Sequence, residues 1–406
     1  MKEQTARREA RLPTDLLGRR PSRHPGPTHR LGVVGTFPPT RCGIASFTAA
    51  LATSLAGVTG RPPMVLRLVE GESEDVVVPG ATRTLAVDRA GWTDRAVQLL
   101  EGLDAVVIQH EFGIFGPDSG RAVTDLIRDL RVPVITTLHT VTPHLSPDER
   151  EILEVIAAES AFTVLLSESA RNLLSADFDV DPRWAEVIPH GTDSSPIEHP
   201  AGRTAEGTSG SPLLLTWGLI GPGKGLDWGL DSLRILRRSH PRARWTVAGQ
   251  THPKVLAHEG ERYRQSLLAK ARHLQLGDSV TFIDRYLSKH HLHSLVKSAD
   301  VVVLPYDSTE QTSSGVLVEA VRAGVPVVAT RFPQAVELER KGAVITVPHR
   351  EPAALAAAVD GLVSDPVRRK EMVAAQCEVA GEADWCHVAR RYLHLVDRAL
   401  TSRVAL

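Results

Sequence analysis

The sequence predicts an α/β protein with two doubly wound parallel-sheet domains that face each other across a cleft. Short apolar runs alternate with helical segments from residue 30 onward, a pattern typical of parallel strands joined by helical crossovers. The alternation is interrupted once, by a polar segment rich in Gly, Pro and Ser near residue 200. A chain of 406 residues is also long enough to bury two separate cores.

The elements follow from the order of these runs. The first domain is predicted to have strands at 31–35, 103–110, 132–139 and 162–166 and helices at 45–55, 119–130 and 147–159. The second is predicted to have strands at 213–217, 244–249, 280–282 and 301–304 and a helix near 228–239. A further helix ends at Gly324, before a strand that reaches Ala329, and an amphipathic helix covers 384–396.

Five parts are therefore expected along the chain. They are a basic tail at 1–29, an N-terminal domain at 30–195, a linker at 196–211, a C-terminal domain at 212–380 and a helical segment at 381–406. The first 30 residues hold one Lys and seven Arg against three acidic residues, so we expect the tail to be disordered. Its charge suits peripheral contact with anionic lipid, and the alternative is that it stays solvated.

Composition excludes several classes of protein. The net charge of −1 gives no overall field that would attract nucleic acid. Three scattered cysteines are too few for a disulfide framework or a zinc site, and no apolar run approaches the ~20 residues that span a bilayer. The N-terminus lacks the apolar core of a signal peptide. We therefore expect a cytoplasmic protein without a bound metal.

The most informative segment is 301–320, an apolar strand followed by a polar loop and a helix. The loop residues Thr312, Ser313, Ser314 and Gly315 precede the helix, whose first amides carry partial positive charge and favour a phosphate. Glu319 follows about one turn later, where it could reach a diol of the same ligand. The structural alternative is that Glu319 is an ordinary half-exposed helix residue.

This segment resembles the signature of retaining GT-B glycosyltransferases of family 4, in which two carboxylates separated by seven residues bracket such a loop. In that family the second carboxylate binds the ribose of a nucleotide-sugar and the loop amides bind its diphosphate. Glu319 matches the second position, whereas the first falls on Gln311, which can hydrogen-bond a sugar hydroxyl but carries no charge. The resemblance covers nearly everything after residue 30 and implies two Rossmann-like domains, with the last helix crossing back to the first domain.

A second segment, 217–225, follows a strand, opens a helix and is rich in glycine. It resembles the Gly-Arg…Lys-Gly segment of the family, whose two cations neutralise the departing diphosphate. Lys224 matches the lysine, but the arginine position is Leu219. The alternative reading of Lys224 is a solvated turn lysine.

In the first domain, Gly43 opens a helix after the first strand, where family members bring a helix N-terminus to the donor phosphates; a turn glycine is the alternative. His110 and His139 end two strands, and ligands lie at the carboxyl ends of such strands. His139 resembles the family histidine that contacts the transferred sugar, and His110 with Glu111 is placed for the acceptor. We assign His190, in a turn before the linker, a structural or hinge role.

Three further histidines lie close together in sequence and are interpreted as a solvated helix face rather than a metal site: His290, His291 and His293.

The sequence thus predicts a retaining hexosyltransferase that moves a hexose from a nucleotide-sugar to the hydroxyl of an unidentified acceptor. Lys224 and the loop amides would stabilise the departing diphosphate, Glu319 would hold ribose, and Gln311 and His139 would orient the sugar. The family implies that the acceptor attacks from the face of the leaving group and that no cofactor is needed. GDP-mannose, UDP-glucose and ADP-glucose all fit as donors.

Two alternatives stay open. One is a sugar-nucleotide epimerase or a phosphorylase with the same fold. The other is a binding protein that keeps the cleft but has lost transfer, and it is favoured by the two departures at Leu219 and Gln311.

Overall fold

The computed structural model describes residues 29–71, 74, 77–178, 181–192 and 211–404. Within them the chain forms two parallel sheets, as the sequence predicts, and these contain seven and six strands. Nearly all of the predicted tail and linker lie outside the described residues. Within the described part of the chain, every helix is too short or too polar to span a bilayer.

The N-terminal domain contains the seven-stranded sheet. Its strands are β1 (Leu31–Gly35), β2 (Met64–Val69), β3 (Arg83–Ala86), β4 (Ala105–His110), β5 (Val134–Leu138), β6 (Phe162–Leu165) and β7 (Ala185–Val187). Its helices are α1 (Gly43–Thr59), α2 (Trp92–Leu100), α3 (Ala122–Asp129), α4 (Pro147–Glu159) and α5 (Glu168–Asp177). The strands are ordered β3-β2-β1-β4-β5-β6-β7, and each neighbouring pair is parallel.

The C-terminal domain contains the six-stranded sheet, ordered β10-β9-β8-β11-β12-β13. Its strands are β8 (Leu213–Trp217), β9 (Arg244–Ala248), β10 (Val280–Ile283), β11 (Val301–Leu304), β12 (Val327–Thr330) and β13 (Ile345–Val347). Its helices are α6 (Leu226–Leu236), α7 (Pro253–Glu259), α8 (Arg262–His273), α9 (Lys289–Ser298), α10 (Gly315–Arg322), α11 (Pro333–Arg340), α12 (Pro352–Ser364) and α13 (Pro366–Ala380). The final helix is α14 (Trp385–Val404).

Both faces of each sheet are covered, which explains why the strands are apolar at successive positions. In β1, Val33 packs toward α1 and α14, whereas its neighbour Val34 packs toward α2, α3 and α4. In β11, Val302 and Val303 divide in the same way between two cores of the second domain. This alternation places the carboxyl ends of both sheets, rather than their faces, at the surface available to a ligand.

Four strands were not predicted: β2, β3, β7 and β13. Arg67 interrupts the apolar run of β2, yet the structure buries it, with Nε donating to Phe37 O at 3.3 Å and Nη2 to Thr40 Oγ1 at 3.1 Å. The strand β3 has only four residues and begins with the exposed Arg83. By contrast α4 begins at the predicted residue, because Ser146 and Glu149 form a reciprocal capping box.

The last helix lies on the N-terminal domain rather than on the domain that precedes it in sequence. The amide of Thr192 donates to Ala383 O at 2.7 Å, and the amide of Trp385 donates to Thr192 O at 3.2 Å. From there α14 packs along α1, and Tyr392 is buried with its hydroxyl 2.8 Å from Thr137 Oγ1. A Cβ on Gly191 would overlap the Trp385 ring, so only glycine permits this crossing.

Candidate active site between the domains

A cleft of about 660 Å³ separates the two domains and is lined by residues of both. It borders the loops that follow β1, β5, β8 and β9, which is where a doubly wound sheet binds its ligands. Several predicted site residues line it: Gly43, His139, Lys224, Ser313, Gly315 and Glu319. The prediction of a shared site for these residues is therefore consistent with their positions.

On the C-terminal wall, the loop after β8 approaches two other backbone segments. Gly218 and Gly249 both have positive φ, at 115° and 148°, and a Cβ on Gly249 would overlap Gly218 O. Gly225 has a φ of 60°, and a Cβ there would overlap Pro305 O. Glycine is thus required at these positions, because the loop after β8 is pressed against the loop after β9 and against Pro305 at the end of β11.

Lys224 lies in this loop, and its Nζ is 4.1 Å from the centroid of the Tyr306 ring. An ammonium over an aromatic face is attracted by the negative face of the ring, which restrains an otherwise flexible side chain. Lys224 also lines the cleft. The fixed loop and the aromatic ring therefore hold a positive charge at the edge of the ligand space.

The N-terminus of α10 enters the same cleft. Ser314 caps it, with Oγ accepting the Leu317 amide at 3.2 Å, while its own amide donates to Gln334 Oε1 at 2.6 Å. Gly315 and Val316 are the next residues, and within the described chain their amides have no hydrogen-bond acceptor. The first turn also contains no acidic residue. These amides are therefore available to an anion, and the helix dipole favours one there.

Glu319 lies one turn further along α10 and faces the cleft. Its Oε2 accepts a hydrogen bond from Trp217 Nε1 at 3.1 Å. Trp217 is buried at the end of β8, so this bond fixes the direction of the carboxylate. Sequence reasoning did not assign Trp217 to the site, although its position at a strand end could have suggested it.

The N-terminal wall is formed largely by one face of α1. Cys42 caps the helix through an Sγ that accepts the Ala45 amide at 3.3 Å, so α1 begins at Gly43. Apart from its chain neighbours and the backbone of α1, no atom of the described residues lies within 4 Å of a Cβ placed on Gly43, so this residue borders open space. Ile44 and Phe47 continue the wall, whose character is predominantly apolar.

Two imidazoles complete the N-terminal wall, one of them predicted. His139 Nε2 lies 2.8 Å from Gln109 Oε1, and burial lowers the pKa of His139 to about 3. His190 also lines the cleft, and burial lowers its pKa as well. The Phe47 ring contacts both imidazoles edge-on, with centroid distances of 4.9 and 5.0 Å. His190, for which a structural or hinge role was expected, therefore also lines the cleft.

His110 was predicted to lie on the acceptor side, but its ring lies in the core and not in the cleft. It stacks on Phe115 at 5.8 Å and meets Phe112 edge-on at 5.0 Å. Neither ring nitrogen has a hydrogen-bond partner among the described residues, and burial lowers the pKa of His110 to about 3. The reason is strand register: His110 is paired with Leu138 and shares its face, opposite to that of His139.

Glu111 is also set back from the cleft lining. Its Oε2 accepts a hydrogen bond from Thr140 Oγ1 at 2.6 Å. Burial raises the pKa of Glu111, an effect that the Thr140 bond only partly opposes. The carboxylate therefore supports the loop after β5, and nothing in its surroundings directs it toward a ligand in the cleft.

Gln311 was predicted to orient the transferred sugar, but its side chain is turned back onto its own loop. Its Nε2 donates to Ser313 O at 2.9 Å, and Gln311 does not line the cleft. The adjacent Glu310 points to the other domain, accepting Thr142 Oγ1 at 2.6 Å and pairing with His144 Nε2 at 2.7 Å. The loop thus directs neither side chain into the ligand space.

The hydroxyls of the same loop attach it to the N-terminal domain. Thr312 Oγ1 donates to Val141 O at 3.1 Å, and Ser313 Oγ donates to His139 O at 2.9 Å. Ser167 Oγ donates in turn to Thr312 O at 2.6 Å. We call this set of contacts, together with those of Glu310, the interdomain seam. The loop therefore offers backbone amides to the cleft while its side chains join the domains.

Other residues of the lining were not assigned to the site from sequence. His290 and His293, predicted to form a solvated face, line the cleft from α9. At the mouth, Ser46 Oγ and Tyr286 OH are 3.3 Å apart, across the two domains. Within the described chain, no group of three or more potential ligands is arranged to hold a metal ion. Sequence patterns indicate these positions only weakly, because their place in the cleft depends on how the two domains meet.

Comparison with known proteins identifies relatives for much of the chain. Residues 211–365 match the family described as Glycosyl transferases group 1. A D-inositol 3-phosphate glycosyltransferase of Stackebrandtia nassauensis is 29% identical over 261 residues, which cover 62% of this chain and 57% of that protein. A glycogen synthase of Mycobacterium tuberculosis is 27% identical over 269 residues, covering 64% and 61%. The chain thus spans about three fifths of the length of these curated relatives.

Solved structures share the arrangement of both domains. HepE of Anabaena, in complex with UDP and glucose, superposes with a TM-score of 0.72 at 16% identity, covering 91% of this chain and 99% of that one. Sucrose-phosphate synthase of Thermosynechococcus elongatus gives 0.71 at 16% identity, covering 92% and 99%. At this level of identity the likeness shows the fold, which is the predicted GT-B arrangement.

Proposed function

We propose that this chain, whose residues 211–365 match the family described as Glycosyl transferases group 1, transfers a hexose from a nucleotide-diphosphate sugar to an acceptor hydroxyl. The observation that carries the proposal is the convergence of three features on one cleft. They are the restrained ammonium of Lys224, the open amides of Gly315 and Val316, and the carboxylate of Glu319. Together they match the charges and hydroxyls of a nucleoside diphosphate.

Each part of the donor has a counterpart on the C-terminal wall. The diphosphate would lie between Lys224 and the N-terminus of α10, where a cation and oriented amides stabilise negative charge. Glu319, fixed by Trp217, would accept hydrogen bonds from the ribose diol. The N-terminus of α1, with no acidic residue in its first turn, faces the phosphates from the opposite wall at Gly43.

Catalysis would rest on charge that develops as the glycosidic bond to the diphosphate breaks. Lys224 and the α10 amides are already positioned for that charge, so little reorganisation is needed. The acceptor hydroxyl would form the new bond from the face that the diphosphate leaves, and its proton would pass to a phosphate oxygen. Configuration would thereby be retained. Among the described residues that line the cleft, Glu319 alone has a carboxylate, and this scheme assigns it to the ribose.

Sugar orientation is assigned to His139, since Gln311 is turned away from the cleft. The neutral imidazole of His139 can exchange hydrogen bonds with hydroxyls without attracting an anion. The donor base and sugar stay part of the proposal, with UDP-glucose as the first conjugate to test because HepE is described with UDP and glucose. GDP-mannose and ADP-glucose follow.

The proposal also includes a cytoplasmic setting, catalysis without a metal or other cofactor, and lipid contact through the basic residues of 1–29. These points rest on composition and on the family resemblance. Chelation of divalent ions during an activity assay, and binding to vesicles with and without anionic lipid, would test them separately.

The first test is calorimetric binding of UDP, GDP and ADP, and then of their sugar conjugates, to wild type and to Glu319→Ala. We expect one nucleotide to be preferred and its affinity to fall at least tenfold in the variant, because a carboxylate that accepts two hydroxyl hydrogen bonds is lost. Glu371→Ala, an exposed position on α13, is the matched control. Folded protein that binds none of these ligands would refute the donor site.

A binding protein without transfer is the second candidate, favoured by Leu219 at the position of the second cation and by the orientation of Gln311. Release of free nucleotide from the preferred conjugate, with or without added acceptors, separates the two. Tight binding with no release under any condition would favour the binding protein.

A further inference from the structure

His190 occupies a position in the cleft that the donor scheme above does not use. It follows β7 in the short segment that leads out of the N-terminal domain. Its ring is enclosed by Phe47, with centroids 5.0 Å apart, and by Trp385, at 6.0 Å. These two side chains come from α1 and α14, so the imidazole is held by the packed core of the domain rather than by a loop.

The tautomer of His190 is fixed by its neighbour. Nδ1 lies 2.8 Å from Gly191 O, and a carbonyl oxygen can only accept, so Nδ1 carries the hydrogen. The position of Gly191 is fixed in turn, because a Cβ there would overlap the Trp385 ring. Since the buried ring is neutral, Nε2 has no hydrogen and presents a lone pair.

That lone pair is directed into the ligand space. A Cβ built on Gly315 would lie 3.0 Å from His190 Nε2, so the absence of a side chain at residue 315 leaves the nitrogen open beside the first turn of α10. Within the described residues, Nε2 has no hydrogen-bond donor, and His190 lines the cleft. A hydrogen-bond acceptor therefore stands beside the amides proposed to bind phosphate.

The neighbouring His139 is a second imidazole on the same wall of the cleft. Its Nε2 is committed to Gln109 Oε1 at 2.8 Å, and its ring is also neutral. Both rings rest on the same Phe47 side chain. A phosphate oxygen has no hydrogen to offer an unprotonated ring nitrogen, whereas a sugar hydroxyl does. The pair is thus suited to a neutral, hydroxyl-bearing group next to the diphosphate.

We infer that His190 is a sugar-recognition residue, whose unprotonated Nε2 accepts a hydrogen bond from a free hydroxyl of the transferred sugar. The inference rests on the proposed function and deepens it, because it assigns a second side chain to the sugar and names the hydroxyl that this side chain would recognise. Derivatives that lack the hydroxyl facing His190 would leave a buried lone pair unpaired, which a hydrogen-bonding site rejects strongly.

The test compares three substitutions at one position. His190→Gln places an amide oxygen near the site of Nε2, His190→Asn keeps a donor toward Gly191 O but removes the cleft-facing acceptor, and His190→Phe removes both. UDP and UDP-glucose are the probes, or the nucleotide and conjugate that wild type prefers. His240→Gln, where the ring contacts Asp360 at 2.6 Å, is the control for loss of a histidine elsewhere.

We expect about tenfold weaker binding of the conjugate in His190→Asn and His190→Phe, with binding of the free nucleotide changed by less than about twofold. His190→Gln should recover most of the loss. Equal affinities for the conjugate in all variants would overturn the inference. So would a parallel loss for nucleotide and conjugate, since that would show a role in shaping the α10 terminus instead.

A second readout needs no ligand. Long-range ¹H–¹⁵N spectra of the imidazoles, assigned with His190→Asn, should show His190 protonated on Nδ1 and unprotonated on Nε2 at pH 7. The opposite tautomer, or a doubly protonated ring, would overturn the inference even if the donor binds. If wild type binds no nucleotide or conjugate while the tautomer is as expected, the proposed function fails and the assignment of the sugar fails with it.

Discussion

The two walls of the cleft differ in how they carry charge. The C-terminal wall presents Lys224, Glu319 and the amino end of α10. The N-terminal wall presents an apolar face of α1 and the imidazoles of His139 and His190, and its described lining residues include no Asp, Glu, Lys or Arg. Burial keeps both imidazoles neutral.

This difference indicates a division of tasks between two domains of similar architecture. The charged part of a donor would be held by fixed charges and dipoles in one domain, where they cost little reorganisation during reaction. The other domain would contact neutral hydroxyls with groups that neither attract nor repel ions strongly. The same layered fold therefore supports two kinds of recognition, according to which side chains end its strands.

The largest effect is expected from removing the ammonium of Lys224 from the C-terminal wall. Lys224→Ala should weaken binding of the preferred nucleoside diphosphate by about 1.5–3 kcal/mol, because a charged hydrogen bond to phosphate is lost. Titration calorimetry measures it, with the exposed Lys341→Ala as control. Unchanged affinity in Lys224→Ala would contradict the placement of the diphosphate and remove the contrast between the walls.

The neutral histidines of the N-terminal domain predict a dependence of stability on pH. His110 and His139 have folded pKa values of about 3, below the ordinary value of 6.5. Between about 3 and 6.5 the unfolded chain therefore binds more protons than the folded one. Stability should fall as the pH is lowered through this range, by up to ~1.4 kcal/mol per pH unit for each histidine.

Urea unfolding between pH 5 and 6.5 would measure this slope, in wild type and in His110→Leu. The slope should be smaller in His110→Leu, because the variant lacks the proton uptake of one histidine on unfolding. His258→Gln, at an exposed site, should keep the slope of wild type. An identical slope in His110→Leu would mean that His110 binds its proton equally well in the folded and the unfolded chain, contrary to its apolar surroundings.

The smallest effect is expected at the interdomain seam. Glu310→Ala removes the bond to Thr142 and the ion pair with His144, whose side chain is 78% exposed. Such partly exposed contacts contribute little, so unfolding free energy should change by about 1 kcal/mol or less. Nucleotide affinity should stay within about twofold, since Glu310 does not line the cleft and is not among the proposed nucleotide contacts. A tenfold loss would show that the walls do not act separately.

Much of the fold followed from the sequence because buried parallel strands are recognisable as short apolar runs. Of the four strands that were missed, β2 has a specific cause, since Arg67 is buried by bonds to the loop after β1 that no local pattern reveals. Capping chemistry fixed the start of α4 for the opposite reason, because Ser146 and Glu149 act within one turn.

The site was predictable by segment but not by side-chain direction. His110 and His139 both end strands, yet the register of β4 against β5 sends one into the core and the other to the cleft. Gln311 matched a position in the motif, and the bond to Ser313 O turns it away. The place of His190 depends on Trp385, which is almost 200 residues distant in sequence, so local reasoning could not assign it.

The position of α14 also fixes the order in which the molecule can be completed. Trp385 and Tyr392 belong to the same core as Leu31 and Phe47, although they come from opposite ends of the described chain. Translation produces the N-terminal domain before the C-terminal domain, but the apolar face that α14 covers stays open until α14 has been made. The first domain to be synthesised is therefore the last to be closed.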